Sequence, residues 1–158
     1  MGLTLQTFTF FHVVVSLAGI ISGLVVAGGL AAGRRLDAWA GVFLITTLAT
    51  SVTGFGFPTD TLLPSHIVGG ISILVLAATI AAHVKGWRVV YASGVVAATY
   101  LNSFVLVVQL FRRVPDLSAL APTQSEPAFA LAQLVVLAAF VWLGVAANAG
   151  MRSAVAGR

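Results

Sequence analysis

The side chains of this sequence with chemistry to offer are few, and they sit inside apolar runs: His12, His66 and His83, with the amides Asn102, Gln109 and Gln133. Asn102 and Gln109 are seven residues apart and so share one face of a helix. Burying such groups in hydrocarbon without partners is costly, which predicts that they face one another. One polar pocket would satisfy His12, His66, Asn102, Gln109 and Gln133 together. Two histidines from different helices, walled by phenylalanine, suit a single b-type haem or a quinone head. The plainer alternative has both imidazoles bonding backbone or headgroups, with the amides holding helices together. A metal bound by His12, His66 and Asp60 ranks below both. Three histidines cannot supply two bis-histidine haems, which excludes a di-haem conduit.

Other chemistries are missing from the sequence. The chain has no cysteine, which removes disulfides, iron–sulfur ligation and thiol catalysis. No metalloprotease H-E-x-x-H motif and no glycine-rich phosphate loop occurs, and no apolar run carries a charge of the kind ion-coupled transporters use. The expectation is a protein without recognisable catalytic machinery: an accessory or ligand-binding component, or alternatively a haem or quinone protein using His12 and His66.

The elements that must position these residues are membrane-spanning. Of 158 residues, 59% are hydrophobic and 8% charged, whereas a soluble domain has about a quarter charged. The apolar runs predict an all-α integral membrane bundle of five transmembrane helices in one domain, over approximately 8–32, 38–57, 66–84, 89–111 and 128–150. The middle run, His66 to Val84, would measure about 28 Å as a helix, close to the roughly 30 Å of bilayer hydrocarbon. Gly54 to Pro58 should break the second helix, and Ser65 is placed to cap the third. The first run lacks a basic leader and is too long for a signal-peptide core, so it is read as retained.

The basic residues give the orientation, because Lys and Arg stay on the cytoplasmic side. Five crossings put Arg34, Arg35, Lys85, Arg88, Arg152 and Arg158 on one side and Arg112 and Arg113 on the other. The N-terminus is therefore expected outside and the C-terminus in the cytoplasm. Trp39, Trp87 and Tyr91 would form an inner aromatic belt, and His83 would meet lipid phosphate beside Lys85 and Arg88. The loop from Arg112 to Pro127 reads as a lid, with Arg112 and Arg113 offering charge to an anion, and Ser125 with Glu126 marks the start of the last helix. The net charge of +4 is scattered in short pairs between apolar runs, which argues for lipid and against nucleic acid as partner. Gly19 and Gly23 form a G-x-x-x-G strip continued by Ala27 and Ala31, and Gly94, Ala98 and Asn102 form a similar row. Internal packing is the first reading of both. A homodimer through the first helix, or a larger membrane-protein partner, is the second.

The blocks LLPSHIVGG (Leu62 to Gly70), YLNSFVLVVQLF (Tyr100 to Phe111) and LAPTQSEP (Leu120 to Pro127) resemble those of small uncharacterised bacterial inner-membrane proteins. The resemblance implies a bacterial plasma membrane and attaches no activity. In size the chain is also similar to the four-span DoxX-type proteins, although no DoxX motif can be matched to it residue by residue.

Overall fold

The computed structural model describes residues 2–58 and 64–156. Its helices run in the order α1 (Gly2–Ala31), α2 (Asp37–Gly54), α3 (Pro64–Lys85), α4 (Arg88–Arg113), α5 (Pro115–Leu120) and α6 (Pro127–Ala156), with no strand among the described residues. Proline opens α3, α5 and α6. At a first helical position its fixed φ already suits the helix, and the N–H it lacks would have no intrahelical partner. Since α3 begins at Pro64, Ser65 lies inside the helix and does not precede it.

The short connections have local causes. Gly33 after α1 and Gly86 after α3 have φ of +71° and +72°, which glycine adopts without steric cost. At each, the next residue's N–H reaches back to close the helix, Arg34 to the Gly29 carbonyl (2.8 Å) and Trp87 to that of Ala82 (2.9 Å). Helix α2 starts with Asp37 against the positive end of its dipole. It ends in tightened bonds from Phe55 to Val52 (3.2 Å) and Gly56 to Thr53 (3.0 Å), so it stops at Gly54, short of the expected Phe57.

Among the described residues four helices are long and apolar enough to cross a membrane: Thr4–Ala31, His66–Lys85, Arg88–Arg113 and Pro127–Ala154. The expected fifth, α2, falls short of that measure for a physical reason. It has 18 residues, about 27 Å of helix, and Thr46, Thr47, Thr50, Ser51 and Thr53 dilute its apolar character.

Helix α4 is the hub, packing against α1, α2, α3, α5 and α6. Its Val95 and Ala98 are fully buried, in one apolar core with Leu30 of α1, Phe43 of α2, Leu76 of α3 and Ala147 of α6. Close approach depends on missing side chains at a few positions. A Cβ on Gly23 would strike Thr99 of α4 and Phe43 of α2, one on Gly94 would strike Thr79 of α3, and one on Gly150 would strike the Leu30 and Ala31 carbonyls. Gly19 faces Thr46 and Thr47 of α2 and Asn102 of α4. Gly19 and Gly23 of the α1 strip are thus occupied by packing inside the bundle. The Gly150 contact also brings the C-terminal parts of α1 and α6 together, so these helices run in the same direction. The start of α1 and the end of α6 lie at opposite ends of the bundle.

Candidate functional site

At the end of the bundle that holds the start of α1, His12 is fixed by its neighbour α2. Its Nδ1 lies 2.8 Å from Thr53 Oγ1, while Thr53 gives its one hydroxyl proton to the Ala49 carbonyl at 2.7 Å. A carbonyl can only accept, so in the His12 contact the imidazole Nδ1–H donates; in the neutral ring Nε2 then keeps its lone pair. Phe57 meets the His12 ring edge-on at 5.1 Å and packs against Phe8 at 5.1 Å. His66, in the first turn of α3, stacks instead on Phe55 at 5.4 Å and 18°.

The two imidazoles therefore attach to different phenylalanines of the turn by which the chain leaves α2. Helix α1 packs on α2, α4 and α6, whereas α3 packs on α2 and α4. A bis-histidine haem needs both rings facing one iron. Asp60 lies outside the described residues. Among the described residues no three His, Asp or Glu side chains gather into a metal-binding group.

The amides are dispersed as well. Asn102 lies against Gly19 about two turns deeper than His12, where a Cβ on Gly19 would stand 3.1 Å from Thr47 Oγ1, 3.4 Å from Asn102 Nδ2 and 3.4 Å from Thr46 Oγ1. Thr47 Oγ1 and Asn102 Nδ2 are buried there without a hydrogen-bond partner among the described residues. Gln133 of α6 donates to the Phe104 carbonyl of α4 at 3.2 Å, and Gln109 is half-buried further along α4. His12, His66, Asn102 and Gln133 thus each have their own named neighbours: Thr53 and Phe57, Phe55, Gly19, and the Phe104 carbonyl.

The loop after α4 is fastened to its own helix. It contains α5, which packs on α4. Gln124, at φ +60°, donates to the Val108 carbonyl at 2.9 Å, Ala121 is buried, and Phe111 meets Phe129 edge-on at 5.4 Å. Arg112 lines a shallow cleft of about 340 Å³ with Phe111, Ser118, Pro122, Thr123 and Gln124, and Arg113 is exposed. Glu126 accepts from the Thr123 hydroxyl (2.8 Å) and from the Thr123 and Ser125 amides (3.1 Å each). Loss of solvation pushes its carboxyl up, but these hydrogen bonds outweigh that effect and hold it below the usual carboxylate range.

The opposite end of the bundle corrects two expectations. Arg35 donates to His83 Nδ1 at 3.0 Å, pairs with Asp37 at 3.4 Å, and lies 5.5 Å over the Tyr91 ring. Arginine has no acceptor, so His83 accepts this bond and is held within the protein. Tyr91 is only 4% exposed and belongs to the core, leaving Trp39 and Trp87 as the exposed rings of the expected belt.

The sequence reading missed several polar positions. Thr53 orients His12, the Thr46 and Thr47 pair faces Asn102, and Asn148 of α6 donates to Ser93 of α4 at 3.1 Å. A signal for the first was present, since Thr47, Thr50 and Thr53 recur at three-residue spacing along one side of α2.

Fold and polar positions together define an all-helical bundle whose four long apolar helices are those of a multi-pass membrane protein. No protein-family model, curated protein or solved structure matches the chain.

Proposed function

We propose that this is a five-span protein of a bacterial inner membrane, with its N-terminus outside and its C-terminus in the cytoplasm. Its role is that of a non-enzymatic accessory component, held against a larger membrane protein by α6. The observation that carries this reading is the outward face of α6. Leu131, Leu134, Val135 and Trp142 are each 59–72% exposed, and among the described residues α6 packs chiefly on α1 and α4. Trp142 lies half-way along the helix. Tryptophan favours the membrane surface, where its N–H finds an acceptor; at mid-depth a neighbouring helix can supply that acceptor and lipid tails cannot.

Five crossings are supported by the course of α2. It follows α1 from the Arg35 end to the His12–Thr53 contact, and the parallel direction of α1 and α6 fits an odd number of traverses. Arg34, Arg35, Lys85, Arg88 and Arg152 then share one end, against Arg112 and Arg113 at the other, which gives the direction. In intact cells, a membrane-impermeant maleimide should label Ala119→Cys, and should label Ser153→Cys only after permeabilisation. Labelling of both in intact cells would remove the five-span topology.

The partner is tested with a photo-crosslinking residue at Val135 or Trp142 in native membranes, using exposed Leu74 on α3 as control. One discrete protein adduct from the two α6 sites and none from Leu74 is the expected result. An adduct with the mass of two copies of this chain would replace the heterologous partner with a homodimer. Lipid adducts alone would end the accessory reading.

A further inference from the structure

Between the first half of α4 and the last half of α6 runs an open apolar groove of about 470 Å³, lined by Val89, Val141, Gly144, Val145, Asn148, Ala149 and Arg152. This volume falls within the range of sites that hold small apolar molecules. Its α6 wall follows from spacing: positions 141, 145, 148 and 152 recur every three or four residues and share one helix face. Gly144 leaves space on the groove floor, its absent Cβ pointing at Val96 with ordinary clearance of 3.6 Å.

The chemistry of the groove changes along its length. Val141 and Val145 form its membrane-buried part, and Arg152, exposed in the last turns of α6, stands at its mouth. Asn148, one turn before Arg152, donates through its Nδ2 to Ser93 Oγ and the Gly144 carbonyl, and its Oδ1, the atom that could accept from an arginine, is buried without a hydrogen-bond partner among the described residues and does not engage Arg152. Charge at this end of the bundle is one-sided. Arg34, Arg35, Lys85, Arg88 and Arg152 stand against Asp37 alone, five positive and one negative among the described residues. Helix α4 opens here at Arg88 without a side-chain cap, so its first N–H groups also favour an anion.

From this arrangement we infer that the groove binds one anionic phospholipid of the adjacent leaflet, an acyl chain along Val141 and Val145 and the phosphate on Arg152. The apolar length selects a lipid tail, and the single cation at its mouth selects the charged headgroup. Neither feature depends on a protein partner, so the accessory reading can fail while this site stands.

The test is native mass spectrometry of the full chain in mild detergent, with phosphatidylglycerol or phosphatidylcholine added at equal concentration. One phosphatidylglycerol per chain should survive delipidation. One basic residue at headgroup level is worth about fivefold in affinity, so Arg152→Gln should lower retention by about that factor, whereas Arg113→Gln at the opposite end leaves it unchanged. Ala149→Phe, at an exposed position where folding tolerates bulk, should fill the groove and abolish retention. Three results would each overturn the site: equal retention of both lipids, an Arg113→Gln loss as large as that of Arg152→Gln, or full retention in Ala149→Phe. Displacement of the bound species by millimolar inorganic phosphate would also overturn it, since a lipid is held by its chain as well as its charge.

Discussion

Substituting alanine at Gly150 tests the seam that joins the first and last helices. The new Cβ would meet the carbonyl oxygens of Leu30 and Ala31 and come 2.7 Å from the Ala31 carbonyl carbon. Carbon atoms settle at about 3.5–4.0 Å, so α6 would have to move away by about 1 Å. The obstacle is backbone at the end of α1, where no side-chain rotation relieves it. A gap of that size forfeits a quarter to a half of the dispersion energy of the atoms it separates, and overpacking of this kind costs about 1–3 kcal/mol. Against this, alanine gains roughly 1 kcal/mol over glycine in a helix interior. Gly28→Ala supplies the comparison, because nothing lies within 4 Å of its added Cβ, and it should be neutral or slightly stabilising. Thermal unfolding in detergent, followed by circular dichroism, should show Gly150→Ala melting several degrees below Gly28→Ala. Equal melting temperatures, or a higher one for Gly150→Ala, would refute the close approach of α6 to α1.

Thr53→Val keeps the shape of residue 53 but removes the acceptor for His12 Nδ1, which should cost about 0.6 kcal/mol and at most about 1.7, read as a lower midpoint in detergent unfolding. The Glu126 carboxyl is held below its ordinary value of 4.5. The stability it gives the loop is therefore fully present above that pH and is lost as pH falls through the lower folded value, and the protection of the Thr123 and Ser125 amides, taken relative to their intrinsic exchange rate at each pH, should drop only there. Protein expressed with ample haem should show no Soret band, because His12 and His66 hold different phenylalanines. A band abolished by either His12→Ala or His66→Ala would show that the two rings do share an iron.

The helices were legible in the sequence because hydropathy reports how long an apolar run is, and the prolines and glycines report where it starts and stops. Gly33 and Gly86 close helices where their spacing from the basic pairs implies a turn. Hydropathy does not report the direction in which a residue points around the helix axis. For that reason Asn102, Gln133, His12 and His66 looked like companions, although Asn102 faces α1, Gln133 reaches the α4 backbone, and the histidines meet different rings. Tyr91 had the right depth for a surface belt and the wrong azimuth, since it turns inward beneath Arg35. Nor could an apolar run reveal that α4, and not the central α3, touches every other helix. That depends on which neighbours surround it, a property of the assembled bundle.

The junction of Gly150 with the end of α1 bears on biogenesis. A ribosome delivers α1 before α6, so the partner that covers one flank of α1 emerges only after α2 to α5 have been made. Until then that flank stays open to lipid or to the insertion machinery, and a chain stopped before α6 enters the membrane could never close.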